Sequence, residues 1–187
     1  MVKTMKEKYQ KEAIPQMKEK FGYKSAMAVP KIEKVVINAG FGSMVFNKTG
    51  EEQKKIYDAI LGDLAQMAGQ KPVLTKAKKS IAAFRLRQGS PIGAKITLRR
   101  KKMFDFLDVL VNVALPRKRD FRGLELKSFD PSGNLTISMK EHIVFPEISL
   151  ENVKRIFGFE ITVVTTAKTI EEGAELLRLL GFPIKKS

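Results

Sequence analysis

The sequence predicts an α+β fold with a mostly antiparallel sheet, helices packed on one face of the sheet, and long basic loops. Some segments repeat apolar residues three or four positions apart, which is typical of helices. Others are rich in β-branched residues and alternate polar with apolar side chains, as half-buried strands do. The two kinds of segment do not alternate strictly, and the strands are unequally spaced, which argues against a regular parallel sheet. The uncovered face of such a sheet is left to present basic and polar groups.

The length of 187 residues suits a single domain over 1–187, with an N-terminal helix over 1–21 and a basic loop over 75–89. The absence of cysteine excludes disulfides and thiolate metal sites. The N-terminus lacks the apolar core of a signal peptide, and no apolar run reaches transmembrane length. We therefore expect a cytoplasmic protein that does not associate with membranes.

The first two helices are predicted from their periodicity and their end signals. Over 1–21 an apolar residue recurs at every fourth position, with Pro15 as a kink or break and Gly22 as the stop. A second helix follows a capping-box sequence at Thr49–Glu52 and runs to about Met67.

Two further helices are predicted in the second half of the chain. One starts at about Met103 and should stop at Pro116. The other spans Thr169–Leu180 and opens with a second capping box, in which Glu172 follows Thr169 by three positions. One or two helical turns are expected within 149–156.

Strands are predicted where β-branched residues or polar–apolar alternation dominate between turn signals. They cover Ile32–Asn38, Lys95–Arg99, Leu135–Met139 and Phe159–Thr166.

The run from Gln70 to Lys102 holds eleven basic residues and no acidic one, in a chain with a formal net charge of +15. Its basic residues are Lys71, Lys76, Lys78, Lys79, Arg85, Arg87, Lys95, Arg99, Arg100, Lys101 and Lys102. Compaction of like charge is unfavourable for a fold, whereas a polyanion that binds it releases counterions. The run also contains apolar residues that must be buried, so a folded scaffold should display the cations. We infer a rigid basic surface for a nucleic acid.

Polar residues beside the predicted strands are candidates for RNA contacts, because amides and hydroxyls on a sheet can bond to base edges and 2′-hydroxyls. Together with three cations of the basic run, the candidates are Asn38, Gln70, Lys71, Lys95, Thr97 and Arg99. Turn chemistry for Asn38 and cross-strand pairing for Thr97 are the structural alternatives, and the residues alone favour these alternatives.

Two other basic clusters are predicted outside the strands. Arg117, Arg119 and Arg122 surround Phe121 in a loop, where the ring could stack on a base. The cluster at 99–102 precedes a helix, where the macrodipole favours anions. A phosphate there would meet both the cations and the unpaired N–H groups.

Catalysis is improbable from this sequence. His142 is the single histidine, so neither a metal site nor a catalytic pair has the partners it needs, and no cofactor is expected. Asp105 and Asp108 are interpreted as counter-charges for the nearby basic cluster. Two other interpretations stay open: a basic protein that binds nucleic acids or anionic membranes without specificity, and an RNA-acting enzyme that uses Asp105 or His142.

Several long stretches occur in order along the chain: VPKIEKVVINAGFG, GQKPVLTKAKKSIAAFRLRQGSPIGAKITLR, VALPRKRDFRGL, KSFD, VFPEI and ITVVTTAKT. Together they closely resemble the bacterial large-subunit ribosomal protein L5 family, over essentially the whole chain. The resemblance implies a non-enzymatic protein without cofactor. Such a protein binds 5S ribosomal RNA through the sheet face and helps attach it to large-subunit RNA in the central protuberance.

The resemblance also implies roles for individual residues. The RNA-contacting Asn, Gln and Thr of the family fall on Asn38, Gln70 and Thr97. The loop within 75–89 corresponds to a loop that reaches toward the peptidyl-site tRNA. The region 117–123 lies in the part that bridges to a protein of the small-subunit head. The loop candidates are Lys76, Lys78, Lys79, Phe84 and Arg85, and the bridge candidates are Arg117, Arg119 and Arg122. We expect the loop to be mobile in the free protein, because its lysines repel one another and it has few apolar anchors.

Overall fold

The computed structural model describes residues 4–45, 48, 50–84, 86–119, 121–149, 151 and 153–185. The α-helices are α1 (Met5–Lys8), α2 (Ile14–Phe21), α3 (Gly42–Val45), α4 (Gly50–Ala68), α5 (Arg100–Val109), α6 (Leu115–Arg117) and α7 (Ile170–Leu179). The strands are β1 (Ile32–Gly40), β2 (Val73–Lys76), β3 (Pro91–Leu98), β4 (Leu135–Met139) and β5 (Phe159–Thr165).

The five strands form an antiparallel sheet in the order β2-β3-β1-β5-β4, which confirms the predicted α+β class. Burial alternates along β4 and β5, so apolar residues face the core and their neighbours face outward. β2 pairs with β3 in a register that sets Val73 opposite Lys95 and Thr75 opposite Gly93. β2 was not assigned individually from the sequence, because its four residues are too few to show a period.

The chain divides into two compact units, each built from separated segments. The first unit comprises Met1–Val35, Leu98–Ile137 and Ile161–Ser187, and the second comprises Val36–Thr97 and Ser138–Glu160. The core of the first unit includes Met5, Met17, Leu107, Leu110, Leu176 and Leu177. The core of the second includes Ile37, Phe41, Ile60, Leu64, Phe145 and Phe157. That residues 1–187 form a single domain stays a prediction.

Two prolines inside helices are each preceded by a π-helical turn. Tyr9–Ala13 forms such a turn before Pro15, and Leu110–Ala114 forms one before Pro116. A proline has no N–H and clashes with the carbonyl four residues earlier, and a wider turn relieves the clash. The helix ends at Arg117, so the predicted stop at Pro116 is correct to within one residue.

The helix ends follow local signals with two corrections. Gly22 adopts a left-handed conformation with φ 69° after α2, and Thr169 Oγ1 accepts the Glu172 N–H at 3.3 Å, as predicted. Helix α5 begins at Arg100, three residues before the predicted start. The described residues of 149–156 contain no α-helix. Thr49, the proposed cap of α4, lies outside the described residues.

Candidate nucleic-acid interface

The second unit displays a row of outward side chains on its strands. Along β1, Ile37 and Ala39 are buried while Asn38 and Gly40 are exposed, because successive side chains of a strand point to opposite sides. The same alternation exposes one side of the neighbouring strands. We call this surface the sheet face and define it as Asn38, Val73, Thr75, Lys95, Thr97, Ser138 and Glu160.

Gln70 is held against strand β3 by its own side chain. Gly69 ends α4 in a left-handed conformation with φ 59°, which turns the chain toward β2. Gln70 Nε2 then donates to the Thr97 main-chain carbonyl at 3.2 Å. The Thr97 side chain is half-buried and belongs to the outward side of β3, so the structure brings these two predicted residues together.

The predicted cations of this region are exposed. Lys95 lies opposite Val73, whose side chain is 66% exposed, so an ammonium and an apolar group stand side by side. Lys71 is exposed next to the buried Pro72. Arg99 is also exposed but belongs to the first unit, where it precedes α5. An apolar patch beside a cation can contact a sugar or base while the charge meets a phosphate.

Gly93 lets the backbones of the sheet approach closely. A Cβ atom at this position would lie 2.8 Å from the Ala39 carbonyl oxygen and 2.8 Å from Thr75 Oγ1. The sheet face is therefore flat here, since no side chain projects between β2 and β1. Glycine in a strand interior commonly marks such an approach.

An open groove on the sheet face includes residues that sequence reasoning missed. The groove has a volume of about 560 Å³ and runs past Asn38. It is also lined by Gly40, Ser138, Met139, Lys140, Gly158, Phe159 and Glu160. The alternation already noted at 135–139 was the available signal, because buried Ile137 and Met139 imply that Ser138 faces outward.

The loop over 75–89 is a hairpin that prolongs β2 and β3. Ala77 N–H donates to the Ser90 carbonyl at 2.9 Å, and Ile81 and Leu86 exchange both main-chain hydrogen bonds. The predicted tRNA-facing lysines of this hairpin, at positions 76, 78 and 79, are all exposed. Residue Arg85 and the side chain of Phe84 lie outside the described part of the chain.

The second basic patch follows α6. Arg117, Arg119 and Arg122 are all exposed, and Phe121 between them is half-buried. Helix α6 ends at Arg117, and the next residue, Lys118, has an extended backbone with ψ 126°. The patch is therefore a solvent-facing set of guanidinium groups around a partly covered ring.

His142 is a structural residue of the second unit. Its side chain is fully buried and stacks on Phe157 with ring centroids 4.1 Å apart. Nδ1 accepts the Phe157 N–H at 3.5 Å, so the proton is on Nε2, which lies 3.3 Å from Asp63 Oδ2. Burial lowers the pKa of His142 and raises the pKa of Asp63, so both charged forms are disfavoured.

One of the two carboxylates that follow the basic cluster at 99–102 has a partner in another helix. Asp108 accepts the Met5 N–H at 3.2 and 3.3 Å, a contact in addition to the predicted role as a counter-charge for the basic cluster. Within the described residues, no group of three His, Cys, Asp or Glu side chains is placed to hold a metal ion. None of the described helices combines the length and the apolar character that crossing a bilayer requires.

Comparison with known proteins shows that nearly the whole chain is similar to one family. A model of the C-terminus of the ribosomal L5 family matches residues 91–184, and a model described as ribosomal protein L5 matches residues 25–87. Three relatives, each named large ribosomal subunit protein uL5, are similar along nearly their full lengths. The protein of Desulforapulum autotrophicum is 53% identical over 97% of this chain and 98% of its own. The Clostridium tetani protein is 53% identical over 98% of each chain. The Halothermothrix orenii protein is 50% identical over 98% of this chain and 99% of its own.

Proposed function

The chain belongs to the ribosomal protein L5 family, and from this membership we propose that it binds 5S ribosomal RNA through the sheet face. As a member of the family it is a structural protein of the large subunit of the cytoplasmic ribosome, and not an enzyme. The observation that carries the RNA proposal is the outward placement of Asn38, Lys95 and Thr97 on the neighbouring strands β1 and β3.

The cations and the polar side chains on the sheet face, and at Gln70 and Lys71 beside it, contribute differently to RNA binding. Lys71 and Lys95 supply affinity that depends on salt, because each phosphate they neutralise releases counterions. The groups of Asn38, Gln70 and Thr97 supply discrimination, because amides and hydroxyls bond to base edges and 2′-hydroxyls with defined geometry. The bond from Gln70 to the Thr97 carbonyl supports this assignment, since it orients the amide before RNA arrives.

Further partners are assigned to the basic groups elsewhere. The hairpin over 75–89, with Lys76, Lys78 and Lys79, contacts the peptidyl-site tRNA. The exposed guanidinium groups of Arg117, Arg119 and Arg122 form the bridge to a protein of the small-subunit head. Through the sheet face and contacts to large-subunit RNA, the protein helps attach the 5S RNA in the central protuberance. Solvent access, positive charge and the family resemblance support each assignment.

The test is a titration of the purified protein against 5S ribosomal RNA and an unrelated structured RNA of similar length, at several salt concentrations. Specific recognition predicts that 5S RNA binds more tightly than the unrelated RNA. The ratio of the two affinities should persist as the salt concentration rises, since base contacts do not depend on counterion release. Equal binding that collapses together with salt would favour a non-specific basic protein instead. A parallel incubation with magnesium should leave both RNAs intact.

A further inference from the structure

A groove in the first unit combines an aromatic surface with a basic rim. It has a volume of about 570 Å³ and a largely apolar lining. On one side it is lined by Thr4, which precedes α1, and by Lys6 in α1. The first turns of α5 line the other side. The α5 residues of the lining are Arg100, Lys101, Phe104, Asp105 and Asp108.

The charges around this groove are arranged unevenly. Lys6, Arg100 and Lys101 are exposed cations, and Asp105 is an exposed carboxylate. The carboxylate of Asp108 is occupied by the Met5 N–H, which also fixes the position of α1 against α5. The groove therefore offers cations at its rim, a half-buried phenyl ring at Phe104 and a carboxylate acceptor within one ligand's reach.

Arg100 places its side chain at this rim although its backbone conformation is unfavourable. It is the one non-glycine residue with positive φ, at 54°, among the described residues. An L-residue in this region is strained, and glycine would not be. Arg99, which precedes it at the N-cap, makes no capping hydrogen bond with its side chain. The helix start alone would not specify a ligand, but the groove beside it restricts which ligand fits.

We propose that this groove takes one unpaired nucleotide of RNA, with the base against Phe104 and the phosphate toward Arg100 and Lys101. Base–aromatic stacking suits the ring, and the phosphate matches the cations. Asp105 can accept from the exocyclic amino group that adenine, guanine and cytosine carry. An acidic peptide would bring its carboxylates against Asp105 and Asp108, so RNA is the better match. The inference rests on the proposed function only in that RNA is the partner, because the sheet face is not involved.

The test uses the full chain and a short unstructured RNA oligonucleotide that carries one photoreactive 6-thioguanosine, which keeps an exocyclic amino group. We expect the crosslink to map to the peptide that contains Phe104. In titrations with the same RNA, Phe104→Leu should weaken binding roughly tenfold, because it removes stacking but keeps an apolar side chain. Phe104→Tyr should bind like the unmodified protein, since its ring is retained.

Arg100 provides a readout that a purely structural role would not give. Arg100→Gly should raise the thermal midpoint, because the strain is relieved, and should weaken RNA binding severalfold, because the cation is lost. Arg100→Lys should keep the affinity. Lys127→Gln, a matched loss of one exposed charge in the same unit, should change the affinity by less than about twofold, since it lies outside the groove.

Several results would overturn the nucleotide site. These are crosslinks confined to other peptides, Phe104→Leu binding like the unmodified protein, or a polyglutamate peptide that displaces the RNA at equal concentration. Gln70→Ala separates the two proposals, because it should change 5S preference without changing binding of the unstructured oligonucleotide. Failure of 5S preference together with the Phe104 crosslink would reject the sheet-face proposal and retain the groove.

Discussion

The side-chain amide of Gln70 donates to the main-chain carbonyl of Thr97 at 3.2 Å and so joins the turn after α4 to strand β3. The donor must be Nε2, because a carbonyl oxygen cannot donate, and Oε1 is thereby directed away from that bond. Two residues that the sequence marks separately as RNA contacts are thus coupled. A side chain oriented in advance loses less conformational entropy when a ligand binds.

Replacing Gln70 by alanine should reduce discrimination more than affinity for RNA in general. We expect a loss of about 1–3 kcal/mol for 5S RNA and a small change for unrelated RNA, with the salt slope almost unchanged. Asn38→Ala should behave alike. The measurement is a titration of both RNAs at several salt concentrations. Gln66→Ala, which removes an exposed amide from α4, is the control. Equal losses on both RNAs would contradict a role in specificity.

Replacing Lys95 by alanine should weaken the binding of 5S RNA and of an unrelated structured RNA by a similar factor. The slope of log affinity against log salt should fall by about one, because one phosphate contact is lost. Lys95→Arg should retain the slope, and Lys24→Ala, at an exposed position of the first unit, should leave it unchanged. A slope that does not respond to Lys95→Ala would place this ammonium outside the interface.

Gly173 and Gly62 should respond in opposite directions to alanine, although both lie inside helices. A Cβ at Gly173 would overlap the Gly133 carbonyl oxygen and lie 2.8 Å from its Cα, whereas a Cβ at Gly62 meets nothing within 4 Å. We expect Gly173→Ala to lower the free energy of unfolding by about 1–3 kcal/mol through overpacking. Gly62→Ala should raise it by roughly 0.5–1 kcal/mol through helix propensity. Urea unfolding of both variants measures this, and a stabilised Gly173→Ala would refute the close contact.

The buried His142 should make the folded state less stable as the pH falls. Burial lowers its pKa from the ordinary value of 6.5, so below that pH the unfolded chain takes up a proton that the folded chain does not. The free energy of unfolding therefore decreases as the pH falls from 6.5 to the folded pKa. Asp63 acts oppositely at lower pH, because burial raises its pKa above 3.8 despite His142 and Lys154 nearby.

The His142 effect can be isolated by a variant that keeps the stack on Phe157. His142→Phe retains an aromatic ring at this position and cannot titrate. We expect urea unfolding curves at pH values just below 6.5 to lose the His142 contribution to their pH dependence in this variant. Asp130 and Glu172, whose pKa values are lowered in the folded state, still contribute at more acidic pH. Asp63→Asn should remove the opposing trend at more acidic pH. If His142→Phe kept the full slope, the slope would have to come from other groups.

The hairpin over 75–89 should exchange its amide hydrogens quickly in the free protein despite its cross-strand bonds. Ile81 and Leu86 are paired at 2.9 and 3.0 Å, but Ile81 is 42% exposed and the neighbouring Lys78 and Lys79 repel each other. Opening such a pair exposes little new apolar surface and so costs little free energy. Hydrogen exchange by NMR should show faster exchange at Ile81 than at Ile37 in β1. Comparable protection would contradict the expected mobility.

Local signals in the sequence predicted the ends of helices correctly where a residue type has one well-defined structural effect. Gly22 ends α2 because it tolerates a positive φ, and Thr169 caps α7 because its hydroxyl reaches a helix N–H. The alternation over 135–139 predicted β4 from the requirement that one side be buried. Pro116 predicted the end of its helix to within one residue, but the π turn that precedes it was not predicted, because it depends on the packing around the helix.

The sequence by itself determined the α+β class, the basic surface and the resemblance to a ribosomal protein family, since periodicity, charge and long matching stretches are properties of the chain order. Only the tertiary structure decided which distant residues meet. Gln70 and Thr97 are separated by 27 positions, Met5 and Asp108 by 103, and His142 approaches Asp63 from another segment. These contacts depend on how strands pair and helices pack, and no local pattern of residues encodes a distance between segments.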